Sequence, residues 1–353
     1  MRDDELLTRV VAVDPQRPDA DLVVVAAQAI QRGGLAAFPT ETVYGLGADG
    51  LSEDAVRRLY EVKQRPRTNP FILHTADAAS ALALAGAVPD GAHRLSERFW
   101  PGPLTLVLPR AANVPTATCG GGEQVAIRVP DNAVARMLIA LSDTAVAGPS
   151  ANLSGSPSPV TARHVLADFE GRIDVVLDAG PCDLGLESTV IDLTQHPPRL
   201  LRPGAITPGQ IREVIGETVE GDMPAPAAKY RPGARLVVVP AESDTTAAKV
   251  AAELSVSGEG VGLAVSKEGA SEASCRVQRI WGSRADPASI AARLYATLRD
   301  LDDAGVDVIV AEGVPEEGIG ATIMHRLRTA ADTVIEGRQV RRRNMERERD
   351  KGV

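Results

Sequence analysis

Short runs of aliphatic and β-branched residues alternate with helical stretches through the first two hundred residues, and this alternation constrains the fold most strongly. It predicts an α/β protein, in which helices pack on a sheet. Aromatic residues make up only 3% of the chain, so aliphatic side chains must fill the core, as in buried strands. The predicted strands are residues 35–38, 71–73, 104–108, 125–129, 145–147, 175–177 and 189–193, and the predicted helices are 21–32, 52–63, 131–141, 161–168 and 207–216.

Two of these helices carry start signals. Ser52 is a suitable N-cap, and the two acidic residues after it lie in the first turn, where the helix dipole favours negative charge. Thr207 and Gln210 form a capping-box sequence with Pro208 at the first helical position. We therefore expect helices to begin at these two places.

A change of composition divides the chain of 353 residues, which is longer than one hydrophobic core usually covers. Residues 221–233 are rich in Pro, Ala and Gly without periodicity, as is typical of a linker. Beyond it, strands at 236–239, 261–265 and 306–310 and helices at 245–254, 289–301 and 322–331 predict a small parallel sheet covered on both faces. We expect a first domain at residues 1–217, a linker at 218–234, a second domain at 235–337 and a solvated charged tail at 338–353.

Charge and cysteine content exclude several classes of protein. A net charge of −9 argues against a surface that is basic overall, although a local patch for nucleic acid stays open. Three cysteines without a CxxC pair favour neither a disulfide framework nor a zinc site. The chain has no signal-peptide pattern and no apolar run of about 20 residues, so we expect a cytoplasmic protein with no membrane contact.

The sequence Gly45-Leu46-Gly47-Ala48-Asp49-Gly50 satisfies the GxGxxG pattern of dinucleotide-binding proteins. In those proteins the strand runs directly into the first glycine, whereas here Pro39 ends the strand well before it. The ribose-binding acid expected about 20 residues later is also missing. We therefore interpret these glycines as structural, allowing a loop to turn tightly against a ligand or a strand.

A basic loop follows the second predicted helix. Lys63, Arg65 and Arg67 alternate along it, and Pro66 and Pro70 cannot continue the helix. On its own, such a run is either a solvated basic cap favoured by the helix dipole or a clamp for a polyanion. The residues alone leave both interpretations open.

A serine-rich loop, residues 149–158, follows a predicted strand. It can offer hydroxyl and backbone N–H groups to an anion, but an ordinary turn with N-cap serines explains it equally well. No Walker A, HExxH or GxSxG sequence occurs, and the five histidines show no metal-ligand spacing. Any ATP chemistry would therefore depend on positioning and charge stabilisation.

Five segments together resemble the Sua5/YrdC/YwlC family in their order, spacing and identity. They are Phe38-Pro39-Thr40-Glu41-Thr42-Val43-Tyr44-Gly45-Leu46-Gly47, Lys63-Gln64-Arg65 with Asn69-Pro70, Ala126-Ile127-Arg128-Val129-Pro130, Pro149-Ser150-Ala151-Asn152-Leu153-Ser154-Gly155, and Glu187-Ser188-Thr189 with Arg202-Pro203-Gly204. The match spans roughly residues 20–215. Residues 236–331, with Gly318-Ile319-Gly320-Ala321 and Arg326-Leu327, resemble the Sua5-type C-terminal domain.

The resemblance implies the long form of the family, with an N-terminal YrdC-like twisted open α/β sheet that has a concave cavity and a smaller C-terminal Rossmann-like α/β domain. It also implies a nucleotidyltransferase that joins L-threonine, bicarbonate and ATP into threonylcarbamoyl-AMP and releases pyrophosphate. The threonine amine captures bicarbonate as a carbamate, whose oxygen attacks the α-phosphorus of ATP. A partner transferase then moves the threonylcarbamoyl group to adenosine 37 of tRNA, so tRNA is a further expected partner.

The resemblance also assigns site residues. The residues expected around threonine and the carbamate are Thr42, His74, Arg128, Gly148 and Ser188, and those expected around ATP are Lys63, Arg65, Asn69, Gln124, Ser150, Ser158 and Arg202. Arg128 suits this role because a guanidinium binds a carboxylate bidentately. Mg²⁺ is expected to accompany ATP, held mainly by phosphate oxygens, and no protein ligand for it is identified.

Two positions depart from the family pattern. Gln124 stands where a threonine is expected near the nucleotide. The linker sequence Ala227-Ala228-Lys229-Tyr230-Arg231-Pro232 lacks the His-Tyr pair of the family. The roles of Gln124 and of this linker segment therefore stay open.

Two other functions are compatible with the same fold. A non-catalytic module could bind double-stranded RNA or tRNA in a basic cavity, although the net acidity and the few aromatic residues weigh against it. A carbamoyl transferase of hydrogenase maturation shares the domain but needs upstream zinc-finger cysteine pairs, which this sequence lacks. RNA affinity without pyrophosphate release would distinguish the first alternative.

Overall fold

The computed structural model describes residues 7–216, 218–221, 230–336 and 339–342. The chain divides into two compact units, Met1–Ala228 and Lys229–Val353. Half of the predicted linker, residues 222–229, lies outside the described part, so the predicted domain bounds stay a prediction. Of the predicted tail, residues 339–342 form a strand and residues 343–353 lie outside the described part.

The first unit is built on one mixed sheet flanked by helices. Its strands are β1 (Arg9–Ala12), β2 (Ala36–Phe38), β3 (Gly45–Asp49), β4 (Ile72–His74), β5 (Leu104–Pro109), β6 (Gln124–Arg128), β7 (Val146–Ala147), β8 (Val175–Asp178), β9 (Thr189–Asp192) and β10 (Arg199–Arg202). Its helices are α1 (Ala20–Gln31), α2 (Glu53–Lys63), α3 (Ala78–Leu82), α4 (Asp90–Phe99), α5 (Ala133–Ser142), α6 (Ala162–Phe169) and α7 (Pro208–Ile215). The strand order is β1-β8-β2-β3-β7-β4-β6-β5-β9-β10.

All seven strands and all five helices predicted for this unit are present, with bounds that differ by one or two residues. The glycine-rich segment that we interpreted as a loop is instead strand β3, antiparallel to β2. The structural interpretation of its glycines is confirmed, because a Cβ added at Gly45 or Gly47 would lie 2.9 or 3.0 Å from the ring of Phe38 on the neighbouring strand. These glycines therefore allow a close approach of β3 to β2.

Both predicted helix starts are confirmed. The Ser52 side chain accepts a hydrogen bond from the backbone N–H of Ala55 at the start of α2. Thr207 and Gln210 form a reciprocal capping box, with Pro208 at the first position of α7. Local sequence therefore determines these two boundaries, independently of the sheet.

The second unit is a smaller doubly wound α/β domain. Its elements are β11 (Arg235–Val239), α8 (Ala247–Val256), β12 (Val261–Ser266), β13 (Val277–Gly282), α9 (Pro287–Asp303), β14 (Val308–Glu312), α10 (Ile319–Ala330), β15 (Thr333–Glu336) and β16 (Gln339–Arg342). The strand order is β13-β12-β14-β11-β15-β16, and all neighbouring strands are parallel except β15 and β16. The predicted parallel sheet is thus confirmed for its interior, and an antiparallel strand ends it at one edge.

Each unit has its own aliphatic core. In the first unit α1 and α5 pack together on the sheet around residues such as Ile30, Leu138 and Val146. In the second unit α8 packs on β11, β12 and β14 around Val250, Leu263 and Val310. Among the described residues, no helix has both the length and the apolar character to span a bilayer.

Candidate functional site

Arg128 lies at the end of β6, buried to 3% exposure, and is held by contacts from two sides. The loop between β2 and β3 reaches it, so that Arg128 Nη2 donates to Thr42 Oγ1 at 3.0 Å and lies 2.7 Å from Glu41 Oε1. Arg128 Nε donates to the carbonyl of Gly102 at 3.1 Å. The guanidinium is therefore fixed in orientation, with a hydroxyl and a carboxylate beside it.

Ser188, which directly precedes β9, and Arg202 on the neighbouring strand β10 form a second polar group. Arg202 Nη2 donates to Ser188 Oγ at 2.8 Å, and Arg202 Nε donates to the Ser188 carbonyl at 2.9 Å. Ser188 Oγ also lies 2.7 Å from Thr105 Oγ1 on β5, the strand between β6 and β9. A residue predicted for threonine and one predicted for ATP are thus in direct contact.

His74 lies at the end of β4, in register with Arg128 on β6. Burial, followed by the nearby positive charge of Arg128, lowers the pKa of His74 to about 3, and Arg202 contributes in the same direction. Its Nδ1 has no hydrogen-bond partner among the described residues. A Cβ added at Gly148 would lie 2.8 Å from this Nδ1, so the backbone at position 148 passes directly beside a neutral imidazole.

Lys63, the last residue of α2, is buried to 1% exposure and holds the serine-rich loop. Its Nζ donates to the backbone carbonyls of Ser150 and Asn152, each at 2.5 Å. Burial, followed by the charge of Arg65, holds the pKa of Lys63 well below its ordinary value. The ammonium group also lies 5.9 Å from the centre of the Phe169 ring, and the negative charge of Asp168 offsets the lowering of its pKa only in part.

Arg65 folds back on its own loop. It donates to the carbonyls of Asn69 and Pro70 at 3.0 and 2.9 Å, and its guanidinium lies over the ring of Phe71 at 5.3 Å. Arg67, in contrast, is exposed and lies 3.4 Å from Glu61. The basic loop is therefore divided into a structured part, which includes Lys63 and Arg65, and a solvated cap at Arg67.

Ser158 is connected to the site by a hydrogen bond to an acidic residue. Its Oγ donates to Glu187 Oε1 at 2.6 Å, and both side chains are buried. Glu187 directly precedes Ser188, so this contact ties the end of the serine-rich loop to the start of β9. Within the part of the chain that the structure describes, no group of three or more His, Cys, Asp or Glu side chains is placed to hold a metal ion.

Among the described residues, Gln124 makes no hydrogen bond to another predicted site residue. It begins β6, at the opposite end from Arg128, and its Nε2 donates to Thr194 Oγ1 at 2.5 Å. Thr194 lines a cavity of about 300 Å³, together with Pro89, Gly91, Leu193, Gln195, His196, Pro198 and Ile215. None of the predicted site residues lines this cavity, so the role of Gln124 stays a prediction.

The structure thus joins Thr42 to Arg128, Ser188 to Arg202 and Lys63 to Ser150 by direct contacts, and it places Gly148 beside His74, which pairs in register with Arg128. Sequence reasoning missed three buried residues of this region, namely Glu41, Thr105 and Glu187. Glu41 and Glu187 belong to the segments that carry the family resemblance. An acidic residue within a segment expected to be buried was the signal that could have identified them. Thr105 gave no signal, because threonine is common in strands.

Comparison with known proteins identifies relatives over nearly the whole chain. The Sua5/YciO/YrdC family model, described as telomere recombination, matches residues 28–204, and the model of the threonylcarbamoyl-AMP synthase C-terminal domain matches residues 206–332. Threonylcarbamoyl-AMP synthase of Pyrococcus abyssi is 45% identical over 322 residues, which cover 87% of this chain and 93% of the relative. That of Bacillus subtilis is 41% identical over 341 residues, 93% of this chain and 95% of the relative.

A solved structure is similar over the same extent. The crystal structure of Pyrococcus abyssi Sua5 complexed with L-threonine matches with a TM-score of 0.84 at 42% identity. The match covers 92% of this chain and 98% of that chain. The similarity therefore extends over both units of the present structure.

Proposed function

Because the chain belongs to the Sua5/YciO/YrdC family and carries the Sua5 C-terminal domain, we propose that it is an enzyme that makes threonylcarbamoyl-AMP and pyrophosphate from L-threonine, bicarbonate and ATP. The observation that carries the proposal is the buried guanidinium of Arg128, bonded to Thr42, together with the Ser188–Arg202 pair, since the charges of both arginines act on His74. The L-threonine complex of a relative that matches 92% of this chain supports the choice of amino acid.

Arg128 is suited to the carboxylate of threonine. Its Nε and Nη2 are engaged with Gly102 and Thr42, whereas Nη1 donates no hydrogen bond among the described residues. A substrate carboxylate can therefore bind to Nη1, where a charge-assisted hydrogen bond is strong because the guanidinium is buried. Thr42 and Ser188 supply hydroxyls nearby, and the neutral ring of His74 adds a polar atom without adding charge.

The triphosphate of ATP requires positive charge from the opposite side of the site. Lys63, Arg65 and Arg202 supply it, and Asn69, Ser150 and Ser158 supply hydrogen bonds. A phosphate beside Lys63 would compensate its charge and raise its lowered pKa, so binding of ATP and protonation of Lys63 favour each other. Mg²⁺ enters with ATP, because phosphate oxygens are ligands that it prefers, and it neutralises charge on the leaving pyrophosphate.

The site residues have to hold the carbamate and ATP so that the carbamate oxygen lies in line with the bond to the leaving pyrophosphate. They do not have to form a covalent intermediate. The carbamate oxygen attacks the α-phosphorus, and negative charge moves to the departing pyrophosphate. Arg202 donates to Ser188, so one residue of the phosphate group fixes one residue of the threonine group. We place Gln124 at the far end of the nucleotide, four residues along β6 from Arg128.

We further propose that the product passes to a transferase that modifies adenosine 37 of tRNA, and that the enzyme acts in the cytoplasm. All three cysteines are unpaired, which fits a reducing compartment. Threonylcarbamoyl-AMP needs no further activation for this transfer, because AMP is a good leaving group.

Release of pyrophosphate by the purified protein tests the proposal. Release should require L-threonine, bicarbonate and Mg-ATP together, and omission of any one of them should reduce it to the background rate. Threonylcarbamoyl-AMP should be detected by mass spectrometry in the same mixture. Release that is equally fast without threonine would contradict the proposal, and tRNA affinity with no release would favour an RNA-binding module.

A further inference from the structure

Glu41 has an environment that is costly for a carboxylate. It is 6% exposed, and neither of its side-chain oxygens makes a hydrogen bond to a described residue. Among the residues that the structure describes, its one ion pair is with Arg128, whose Nη2 lies 2.7 Å from Oε1 at an angle unsuited to a hydrogen bond. A buried carboxylate normally accepts several hydrogen bonds, so these unused acceptors need an explanation other than stability.

The pair formed by Glu41 and Arg128 matches the charges of an amino acid. A zwitterion carries its ammonium group on the carbon next to its carboxylate, so both groups must be recognised within a few ångströms. Arg128 Nη1 is available for the carboxylate, and Oε1 of Glu41 lies 2.7 Å from Nη2, the other terminal nitrogen of the same guanidinium. Thr42, which directly follows Glu41 in the chain, bonds to that guanidinium as well.

Two other titratable groups near this pair, His74 and Cys182, are unsuited to accept the proton. His74 has an open Nδ1, but burial beside Arg128 lowers its pKa to about 3, so it takes up a proton poorly. Burial raises the pKa of the Cys182 thiol, which faces the same loop, to about 12. The thiol is therefore neutral and accepts a proton poorly. The guanidinium groups of Arg128 and Arg202 offer only hydrogen-bond donors and no acceptor.

We propose that Glu41 binds the ammonium group of threonine and accepts the proton that this group must lose before its nitrogen can attack bicarbonate. The inference rests on the proposed function and adds a catalytic residue to it. The N–H bond breaks and the proton moves to a Glu41 oxygen. The freed lone pair forms the N–C bond with bicarbonate, whose hydroxyl takes a second amine proton and leaves as water, so that carbamate remains. Glu41 then returns its proton to solvent.

The alternative is that Glu41 merely positions Arg128, and the two roles differ in the direction of reaction that they affect. Formation of ATP from threonylcarbamoyl-AMP and pyrophosphate breaks the bond between the α-phosphorus and the carbamate oxygen and releases the carbamate. It requires no proton removal from the amine, because the released carbamate decomposes in solution. Loss of a proton acceptor therefore slows only the forward reaction. Loss of a group that positions Arg128 slows both directions.

The test compares wild type with Glu41→Gln in both directions. Forward turnover is measured as pyrophosphate release from L-threonine, bicarbonate and Mg-ATP, and reverse turnover as ATP formed from purified threonylcarbamoyl-AMP and pyrophosphate. Because a general base contributes about 10²-fold or more, forward turnover should fall by about 10²-fold while reverse turnover stays within about threefold of wild type. Glu41→Asp, which keeps a carboxylate, should recover part of the forward rate.

Asp174→Asn is the matched control, since it neutralises a carboxylate of the same unit that pairs with Arg58 at 3.0 Å, away from Arg128. Its forward-to-reverse ratio should equal that of wild type. An equal fall of both directions in Glu41→Gln, or an unchanged forward rate, would overturn the inference. Reverse activity in Glu41→Gln also shows that the variant is folded. Wild type without threonine-dependent release would instead reject the proposed function itself.

Discussion

The two buried cations of the candidate site are compensated in different ways, and their substitution should have different effects. Arg128 has a carboxylate, a hydroxyl and a carbonyl as partners, so its charge is balanced in the structure without substrate. Lys63 is held by carbonyl oxygens, and burial followed by the charge of Arg65 lowers its pKa, because the counter-charge that Asp168 supplies is only partial. A triphosphate would supply that counter-charge, whereas Arg128 offers a fixed donor to an incoming carboxylate.

At the residue scale, we expect Arg128→Ala and Arg65→Ala to affect different substrates. Loss of a charge-assisted hydrogen bond costs about 1.5–3 kcal/mol, so the KM for threonine should rise by about 10- to 150-fold in Arg128→Ala. The KM for ATP should rise by a similar factor in Arg65→Ala. Arg67→Ala, which removes an exposed cation from the same loop as Arg65, is the control and should leave both constants unchanged. Equal constants in all four proteins would contradict the assignments.

His74 gives a prediction for pH dependence. Its pKa is about 3 in the folded protein, against about 6.5 in the unfolded chain. Between these values the unfolded chain binds a proton that the folded protein does not, so stability is complete above about pH 6.5 and falls with decreasing pH, by up to about 1.4 kcal/mol per unit. Urea unfolding of His74→Gln should show a shallower decline from pH 6.5 to 4.5. His93→Gln, at an exposed helix position, should decline as wild type does; identical slopes in all three would contradict the assignment.

At the scale of elements, sequence periodicity predicted every interior strand of the first sheet except β3 and every long helix whose N-terminus has a side-chain cap. It missed β3, because glycines lower strand propensity and the Phe38 ring that explains them belongs to another strand. It also missed β1 and β10, which lie at the two edges of the sheet, where the hydrophobic pattern is weak. The contacts of Glu41 with Arg128 join distant segments, so no local pattern could reveal them.

Gly204 tests how tightly β9 and the segment after β10 are packed. A Cβ added there would lie 2.3 Å from the backbone nitrogen of Thr189 and 2.7 Å from the carbonyl oxygen of Glu187, so neither neighbour can move without shifting β9. We expect Gly204→Ala to lower the free energy of unfolding by about 1–3 kcal/mol and, by displacing Ser188, to weaken threonine binding. Thermal unfolding and isothermal titration measure the two effects.

Gly209→Ala is the control, because the added Cβ would lie 3.7 Å from Thr207 Oγ1, an ordinary contact, within helix α7. Alanine favours a helix over glycine, so this variant should be as stable as wild type or more stable by up to about 1 kcal/mol. A Gly204→Ala variant with wild-type stability and threonine affinity would show that the backbone around Ser188 can adapt.

At the scale of the whole molecule, the two units have separate sheets and separate aliphatic cores, and two family models match residues 28–204 and 206–332. Every predicted site residue belongs to the first unit. A fragment of residues 1–228 should therefore unfold cooperatively on its own, since its sheet and core are complete within it. Because the fragment keeps all of the predicted threonine residues, its Kd for threonine should lie within about tenfold of that of the full chain. A tenfold change in Kd corresponds to about 1.4 kcal/mol of binding free energy.

Circular dichroism on heating and isothermal titration with threonine check this expectation, with a fragment of residues 229–353 as the control that should fold without binding threonine. If the first fragment folds but binds threonine much more weakly, then the second unit contributes to binding, although none of the predicted threonine residues belongs to it. If it fails to fold, the ten-stranded sheet depends on the remainder of the chain. Comparable affinity in fragment and full chain would leave the second unit a role in steps after threonine binding, and turnover of the fragment would then measure that role directly.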